Sequence, residues 1–117
     1  MRRGGKYGVA PVEERTCEGI VFHSKREMIA YQGFRILEKS GQIAKLERQV
    51  PYDLWAWYPD QQGVVFSSVA QYICDFRVTE LDGTVRLYET KGVSTAVYKL
   101  KKKIFCANYP HLRIVEI

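Results

Sequence analysis

The chain has 117 residues, and its 18 Lys and Arg against 13 Asp and Glu give a formal net charge of +5. Hydrophobic residues make up 46% of the chain, so a core can form and global disorder is excluded. This length is typical of one domain, and the basic balance favours a polyanionic partner. The three cysteines share no CxxC spacing, which argues against a disulfide scaffold or a zinc knuckle.

The chain begins with a basic stretch that shows no periodicity. Residues 1–11 are rich in Gly and Arg, which predicts a flexible N-terminal arm before a single domain over residues 12–117. No apolar signal core follows this start, and no apolar run approaches the length of a membrane span. We therefore expect a cytoplasmic protein without a membrane partner.

A short strand over residues 15–22 and a helix are the first predicted elements. Ser24 and Glu27 form a capping-box pattern at the start of the helix, and Gly41 is its expected stop. Apolar residues recur every three positions and predict the buried stripe of this helix: Met28, Tyr31, Phe34 and Leu37.

Three strands, a second helix and a last strand follow. Residues 43–57 and 64–78 are predicted to form a long hairpin around a turn at residues 59–63, and residues 85–91 form the third strand. A helix over residues 95–109 and a strand over residues 112–117 complete the chain. The predicted apolar stripe of this helix consists of Val97, Leu100, Ile104 and Ala107. The fold class is therefore a mixed α/β domain in the order α-β-β-β-α-β.

The turn before the third strand decides whether three ionisable residues meet. Glu89 and Lys91 are two apart on a strand, so both side chains leave the same face. A two-residue turn would set Asp75 opposite Thr90, whereas a three-residue turn over residues 81–83 would set it opposite Glu89. We predict the three-residue turn, because Gly83 can supply the left-handed residue that it requires.

Two carboxylates on neighbouring strands, with Cβ atoms about 4.5–5.5 Å apart, repel unless a proton or a divalent cation lies between them. Mg²⁺ prefers such oxygen ligands, and Lys91 beside the pair would orient a metal-bound water. The alternative is a solvated salt bridge, which the spacing alone favours. The apolar neighbours of Asp75 and Glu89 shift the balance towards a site, because an unpaired carboxylate is costly there.

Asp75, followed after a hairpin by Glu89-Thr90-Lys91, resembles the motif of the PD-(D/E)XK nuclease superfamily, which includes restriction endonucleases and Holliday-junction resolvases. Cys74 stands where that motif usually has proline. From about residue 6 to the end, the chain is similar to a phage-encoded family of small proteins catalogued as a domain of unknown function. The ordered segments that carry this similarity are residues 22–27, 46–49, 73–76, 89–92 and 98–103.

The resemblance implies a restriction-endonuclease-like core, with a mixed central sheet flanked by two helices. It implies a DNA endonuclease dependent on Mg²⁺ or Mn²⁺ that leaves a 5′-phosphate and a 3′-hydroxyl. A domain this small has little room for a recognition module, so branched or junction DNA in phage replication or recombination is the favoured substrate. A homodimer would place two sites on opposing strands.

The resemblance also assigns roles to residues. The metal ligands would be Asp75, Glu89, the Thr90 carbonyl and Glu27, and Lys91 would position the attacking water. For Glu27 a second interpretation stays open, since the capping box alone accounts for it. The residues predicted to bind DNA are Lys99, Lys101, Lys102 and Lys103 of the second helix, Arg2, Arg3 and Lys6 of the arm, and Gln49 near the site.

Other interpretations remain. A lysine run on a helix is more often only a solvated face. Trp55 and Trp57 share a strand face, which either stacks a base or, more often in proteins, packs on the hairpin or on a second subunit. The competing function is a non-catalytic nucleic-acid-binding module on the same fold, and a third is a structural protein of a phage replication complex. The intact Asp75, Glu89 and Lys91 set favours the nuclease.

Overall fold

The computed structural model describes residues 9–90 and 94–117. Most of the predicted N-terminal arm, with Arg2, Arg3 and Lys6, therefore lies outside the described residues, as does Lys91. In the part of the chain that is described, no helix has the length and apolar character needed to cross a membrane.

The first structured segment is a small hairpin. A 3-10 turn (Val12–Arg15) leads into strands β1 (Thr16–Cys17) and β2 (Ile20–Val21), which pair antiparallel. The prediction of one strand over residues 15–22 is therefore wrong. Glu18 and Gly19 have positive φ values of 53° and 78°, the conformation that folds a chain back in a two-residue turn.

Helix α1 (Lys25–Lys39) begins and ends where its flanking residues predict. The Ser24 hydroxyl accepts a hydrogen bond from the Glu27 backbone N–H at 3.1 Å, which satisfies an otherwise unpaired donor at the helix start. Gly41 follows the last turn with a φ of 78°, a conformation that glycine adopts without strain. Met28 and Tyr31 are buried, which confirms the predicted stripe at its first two positions.

A four-stranded sheet forms the centre of the fold. Strands β3 (Lys45–Asp60), β4 (Gly63–Thr79) and β5 (Val85–Glu89) are antiparallel neighbours, and β6 (Ile114–Glu116) pairs parallel with β5. Helix α2 (Ala96–Asn108) connects β5 to β6. The predicted element order and the mixed sheet are thus confirmed, with the small hairpin added in front.

The turn between β4 and β5 has the predicted three-residue form. The Glu80 N–H donates to the Thr84 carbonyl at 2.8 Å, and Gly83 has a φ of 90°. The same register pairs Phe76 with Tyr88. The pairing of β4 with β5 thus ends one residue short of Asp75 and Glu89.

The two helices cover opposite faces of the sheet. Leu87 and Tyr88 are neighbours on β5 and so point to opposite sides. Leu87 packs with Phe105 of α2, whereas the Tyr88 ring lies 4.9 Å from that of Phe34 on α1. The α2 core consists of Leu54, Tyr72, Cys74, Leu87, Phe105 and Ile114. The α1 core consists of Phe22, Met28, Tyr31 and Phe76.

Helix α2 buries a face that only partly agrees with the predicted one. Val97, Leu100 and Ala107 are exposed, so the predicted stripe is wrong at these positions, whereas Ile104 packs against the α2 core as predicted. The buried side is aromatic: Phe105 is fully enclosed, and Tyr98 and Tyr109 pack against its cluster. Both stripes have helical spacing, and the sheet surface selects the one whose larger rings fill the space above Tyr72 and Leu54.

Candidate active site

Strand β4 changes face at Asp75. Cys74 belongs to the α2 core and Phe76 to the α1 core, although residues two apart in a regular strand point to the same side. The neighbouring strand is irregular at the same level. Its pairing with β4 passes from Arg48–Phe76 to Val50–Cys74, and Gln49 between them has a left-handed φ of 51°. Such a conformation is costly for a residue with a side chain, and outliers of this kind concentrate at functional sites.

Gln49 joins two carboxylates that are distant in the sequence. Its Nε2 donates to Glu27 Oε2 at 2.9 Å and to Asp75 Oδ1 at 3.2 Å. The other oxygen of Asp75, Oδ2, accepts from the Thr90 backbone N–H at 3.0 Å and from the Thr90 hydroxyl at 2.8 Å. Asp75 is therefore held from β3 on one side and from the end of β5 on the other.

Glu27 is 2% exposed, and its carboxylate is directed to the site and not only to the helix start. His23 Nδ1 lies 3.5 Å from its Oε1, and the Arg48 guanidinium lies 3.8 Å from its Oε2. Burial raises the pKa of Glu27, the negative charge of Asp75 raises it further, and His23 and Arg48 act in the opposite direction. Glu27 therefore interacts with residues outside its own helix through its carboxylate. Its backbone N–H also takes part in the predicted cap with Ser24.

Arg48 is placed between this carboxylate and an aromatic ring. Its guanidinium carbon lies 4.5 Å from the centre of the Phe22 ring, within the range of a cation–π contact. Its Nε is buried without a hydrogen-bond partner among the described residues. The positive charge next to Glu27 is thus fixed in position by packing.

Glu89 is held by a different residue. The Tyr72 hydroxyl donates to Glu89 Oε1 at 2.6 Å, and Tyr72 itself is buried. Burial and this hydrogen bond both raise the pKa of Tyr72, so it stays a donor. Cys74 is buried in the α2 core and is close enough to both predicted carboxylates to be affected by their charges. Burial raises the pKa of its thiol to about 12, and the charges of Glu89 and Asp75 raise it as well.

The predicted ligands therefore fall into two groups. Glu27 and Asp75 share the Gln49 amide, whereas Glu89 is hydrogen-bonded to Tyr72. Within residues 9–90 and 94–117, no three His, Cys, Asp or Glu side chains are grouped closely enough to hold a metal ion in this conformation. Thr90 contributes its N–H and hydroxyl to Asp75, and Lys91 lies outside the described residues.

The lysines of α2 differ from one another. Lys99 and Lys103 are exposed, and Lys101 is half-buried. Lys102 is also half-buried, with its Nζ 3.0 Å from Glu116 Oε2. Its charge is thus paired within the fold, whereas the side chains of Lys99 and Lys103 reach solvent.

The tryptophan pair packs within the hairpin. Phe66 on β4 stacks on Trp55, with 5.3 Å between ring centres, and lies 4.8 Å from Trp57. Packing on the hairpin, one of the interpretations open from sequence, is confirmed. These rings are remote in sequence from the carboxylates and belong to the outer part of the hairpin.

Arg48 and Tyr72 are the site residues that sequence reasoning missed. Tyr72 is three residues before Asp75, an odd separation that in a regular strand puts the two side chains on opposite faces. Arg48 could have been found from its pairing with Phe76. That pairing depends on a register shift at Leu54/Trp55, which no local pattern predicts.

Searches of curated proteins and of solved structures gave no match to the chain. The model of a family described as "Protein of unknown function (DUF1064)" matches residues 5–117. This span includes both helices, both sheets and every residue of the candidate site that the structure describes. The chain therefore belongs to the DUF1064 family.

Proposed function

We propose that the protein is a metal-dependent DNA endonuclease of the PD-(D/E)XK type, with a restriction-endonuclease-like core. The arrangement of Glu27 and Asp75 on the amide of Gln49, next to the end of β5, is the observation that carries this proposal. Two carboxylates that share one neutral donor, one of them almost fully buried, form a costly arrangement. A bound cation would relieve that cost.

The donor set suits a hard divalent cation. Carboxylate and carbonyl oxygens are the ligands that Mg²⁺ and Mn²⁺ prefer. Asp75, Glu89, the Thr90 carbonyl and Glu27 would hold the ion. When bound, it would stabilise charge on the phosphoryl group and lower the pKa of a water molecule.

The chain's own residues have distinct roles in this proposal. Thr90 orients Asp75 through two hydrogen bonds, and Tyr72 orients Glu89 through one. Gln49 links Glu27 to Asp75, so that both carboxylates stay at the point where β4 changes face. Lys91 would position the attacking water, and the products would be a 5′-phosphate and a 3′-hydroxyl.

Nucleic acid would bind through phosphate contacts. Exposed lysines on α2 neutralise phosphates without reading base sequence, which agrees with selection by DNA shape. We propose branched or junction DNA as the substrate, a homodimer as the active form and the host cytoplasm as its location. The residues proposed to bind DNA are Lys99, Lys101, Lys102, Lys103, Arg2, Arg3, Lys6 and Gln49.

The deciding experiment is a cleavage assay on a four-way junction, a flap and a linear duplex. Each DNA is incubated with the natural protein in Mg²⁺, with the natural protein in EDTA, and with the Asp75→Asn variant in Mg²⁺. The matched control is Asp60→Asn, which makes the same change at the hairpin turn, where Asp60 Oδ1 accepts from the Gln62 N–H at 2.8 Å. We expect cleavage by the natural protein and by the control in Mg²⁺, most efficiently on the junction.

Loss of cleavage both in EDTA and in Asp75→Asn is the expected pattern. Cleavage that is equal in all conditions, or absent in all, would refute the nuclease proposal. DNA retention in a filter-binding assay without any cleavage would support the non-catalytic nucleic-acid-binding module instead. Cleavage that prefers linear duplex would leave the nuclease in place and overturn the substrate class.

A further inference from the structure

One long edge of the hairpin is unpaired in the described part of the chain. Strand β4 pairs with β3 over nearly its whole length, but it pairs with β5 only from Phe76 to Thr79. No strand of the described residues covers the other edge of β4 between Gly63 and Cys74. At 3.3 Å per residue this edge is about 40 Å long, and alternate backbone N–H and C=O groups along it lack a strand partner.

The composition of this edge makes it prone to pairing. Between Gly63 and Cys74 there is no charged residue and no proline. Val64 is 69% exposed and Phe66 is 49% exposed. Natural proteins protect free edges with lysine, proline, bulges or a covering element, because an open apolar edge pairs with other chains. Here the shift of register at Val69 interrupts the edge only once, and Gly63–Ser68 remains regular.

The opposite edge of the same hairpin is protected. On β3, the side chain of Asn108 bonds both backbone groups of Trp55, accepting from its N–H at 2.7 Å and donating to its carbonyl at 3.2 Å. The Tyr109 hydroxyl donates to the Asp53 carbonyl at 2.8 Å. Pro51 and Pro59 also lie on this strand. Because the β3 edge of the hairpin is protected, pairing between copies through the β4 edge closes at two chains and does not continue into a fibre.

Charge indicates what covers the open edge. None of the chain's 18 Lys and Arg lies between Gln49 and Phe76, and the hairpin beyond Gln49 carries the acidic residues Asp53 and Asp60. A phosphate backbone is therefore repelled by this part of the molecule. An identical strand has neither charge nor proline to oppose pairing, and it is present at the same concentration.

We propose that a second copy of this chain pairs with the open edge, β4 against β4, antiparallel and with the two-fold axis near Phe66. Phe66 then lies opposite its own counterpart, and the aromatic face of Trp55, Trp57 and Phe66 continues across both copies. Phe66, which is 49% exposed, gains an aromatic neighbour on the same face of the joined sheet in this arrangement. The inference deepens the homodimer of the proposed function and names its interface.

The first test is the mass of the protein in solution, measured by sedimentation over a range of concentrations. The natural chain is expected as a dimer in equilibrium with monomer, and Val64→Lys is expected to raise its dissociation constant by about tenfold or more, because lysine protects strand edges from pairing. The matched control is Val97→Lys, which adds the same charge at a similarly exposed position on α2 and is expected to leave the equilibrium unchanged.

The second test locates the two-fold axis. One cysteine at a time is introduced at residues 64–68 in a background with Cys17→Ser and Cys106→Ser, where the remaining Cys74 is buried, and disulfide formation is compared under mild oxidation. Cross-linking is expected to peak at residue 66 and to fall on both sides, since each step moves the paired positions about 6.6 Å further apart. A monomer at all concentrations, a dimer that Val64→Lys leaves unchanged, or no cross-link at any of these positions would overturn the inference. A monomer that still cleaves DNA would separate this failure from failure of the nuclease.

Discussion

The backbone of Gln49 offers a sharp test of how the site is built. Among the described residues, only Gln49 and Glu18 have a positive φ without being glycine. The two variants Gln49→Ala and Gln49→Gly both remove the amide that links Glu27 to Asp75. In the folded state they differ in the cost of the left-handed backbone, because glycine adopts it freely and alanine does not.

The difference in stability between these two variants results from two opposing effects. A left-handed conformation costs an L-residue about 1–2 kcal/mol relative to glycine. Glycine in turn has a higher conformational entropy in the unfolded chain, which lowers the stability of the glycine variant relative to the alanine variant by about 0.4–1 kcal/mol. Taking the middle of each range, we expect Gln49→Gly to be more stable than Gln49→Ala by about 0.8 kcal/mol, or about 2–5 °C in Tm for a chain of this size.

Thermal unfolding followed by circular dichroism, in EDTA, measures this difference. Gln71 is the matched control, because it lies on β4, its Nε2 donates to Asp53 Oδ1 at 3.3 Å, and its φ is not positive. At this position the order should reverse, since glycine within an ordinary strand costs about 0.5–1 kcal/mol relative to alanine. If Gln49→Ala equals or exceeds Gln49→Gly in Tm, the left-handed backbone that aims the amide at the two carboxylates is refuted.

Two further predictions concern Glu27 and the α2 core. Since burial raises the pKa of Glu27 above its ordinary value of 4.5, its contribution to stability is fully present below pH 4.5 and declines as pH rises through the folded pKa. Glu27→Gln should therefore become more stable relative to the natural protein between pH 4 and 7 in urea unfolding with EDTA; a gap that is constant or shrinks contradicts this. Phe105→Ala should lose about 3–5 kcal/mol of unfolding free energy, because the ring is fully buried. Leu100→Ala, on the exposed side of α2, should change that free energy by less than about 0.5 kcal/mol, and similar losses at both positions would contradict the observed orientation of the helix.

Much of the local structure was predictable because it depends on residues close in the chain. Ser24 and Gly41 mark the ends of α1 through their own capping chemistry. Gly83 determines the turn between β4 and β5, and that turn determines the register that pairs Phe76 with Tyr88. The small hairpin of β1 and β2 was missed, since Glu18 is a rare residue for a left-handed turn position.

The face that α2 buries was not predictable from the helix alone. Val97 and Leu100 have the same helical spacing as many buried stripes, but the sheet accommodates Phe105 and its neighbouring tyrosines. Helical period restricts the choice to a few faces, and the partner surface then selects one of them. Packing against the sheet therefore overrides the simple apolar pattern.

By itself, the sequence determined the two helices and the four strands of the central sheet, their order, the turn after β4 and the set of residues that resembles a nuclease motif. Only the tertiary structure decided that Glu27 meets Asp75 through Gln49, that Tyr72 holds Glu89, and that Arg48 lies beside Glu27. These contacts arise where β3 and β4 both leave regular geometry, at Gln49 and Asp75. Regular alternation predicts the face of every strand residue except where the backbone departs from it, and that departure is stabilised by packing between residues far apart in the chain.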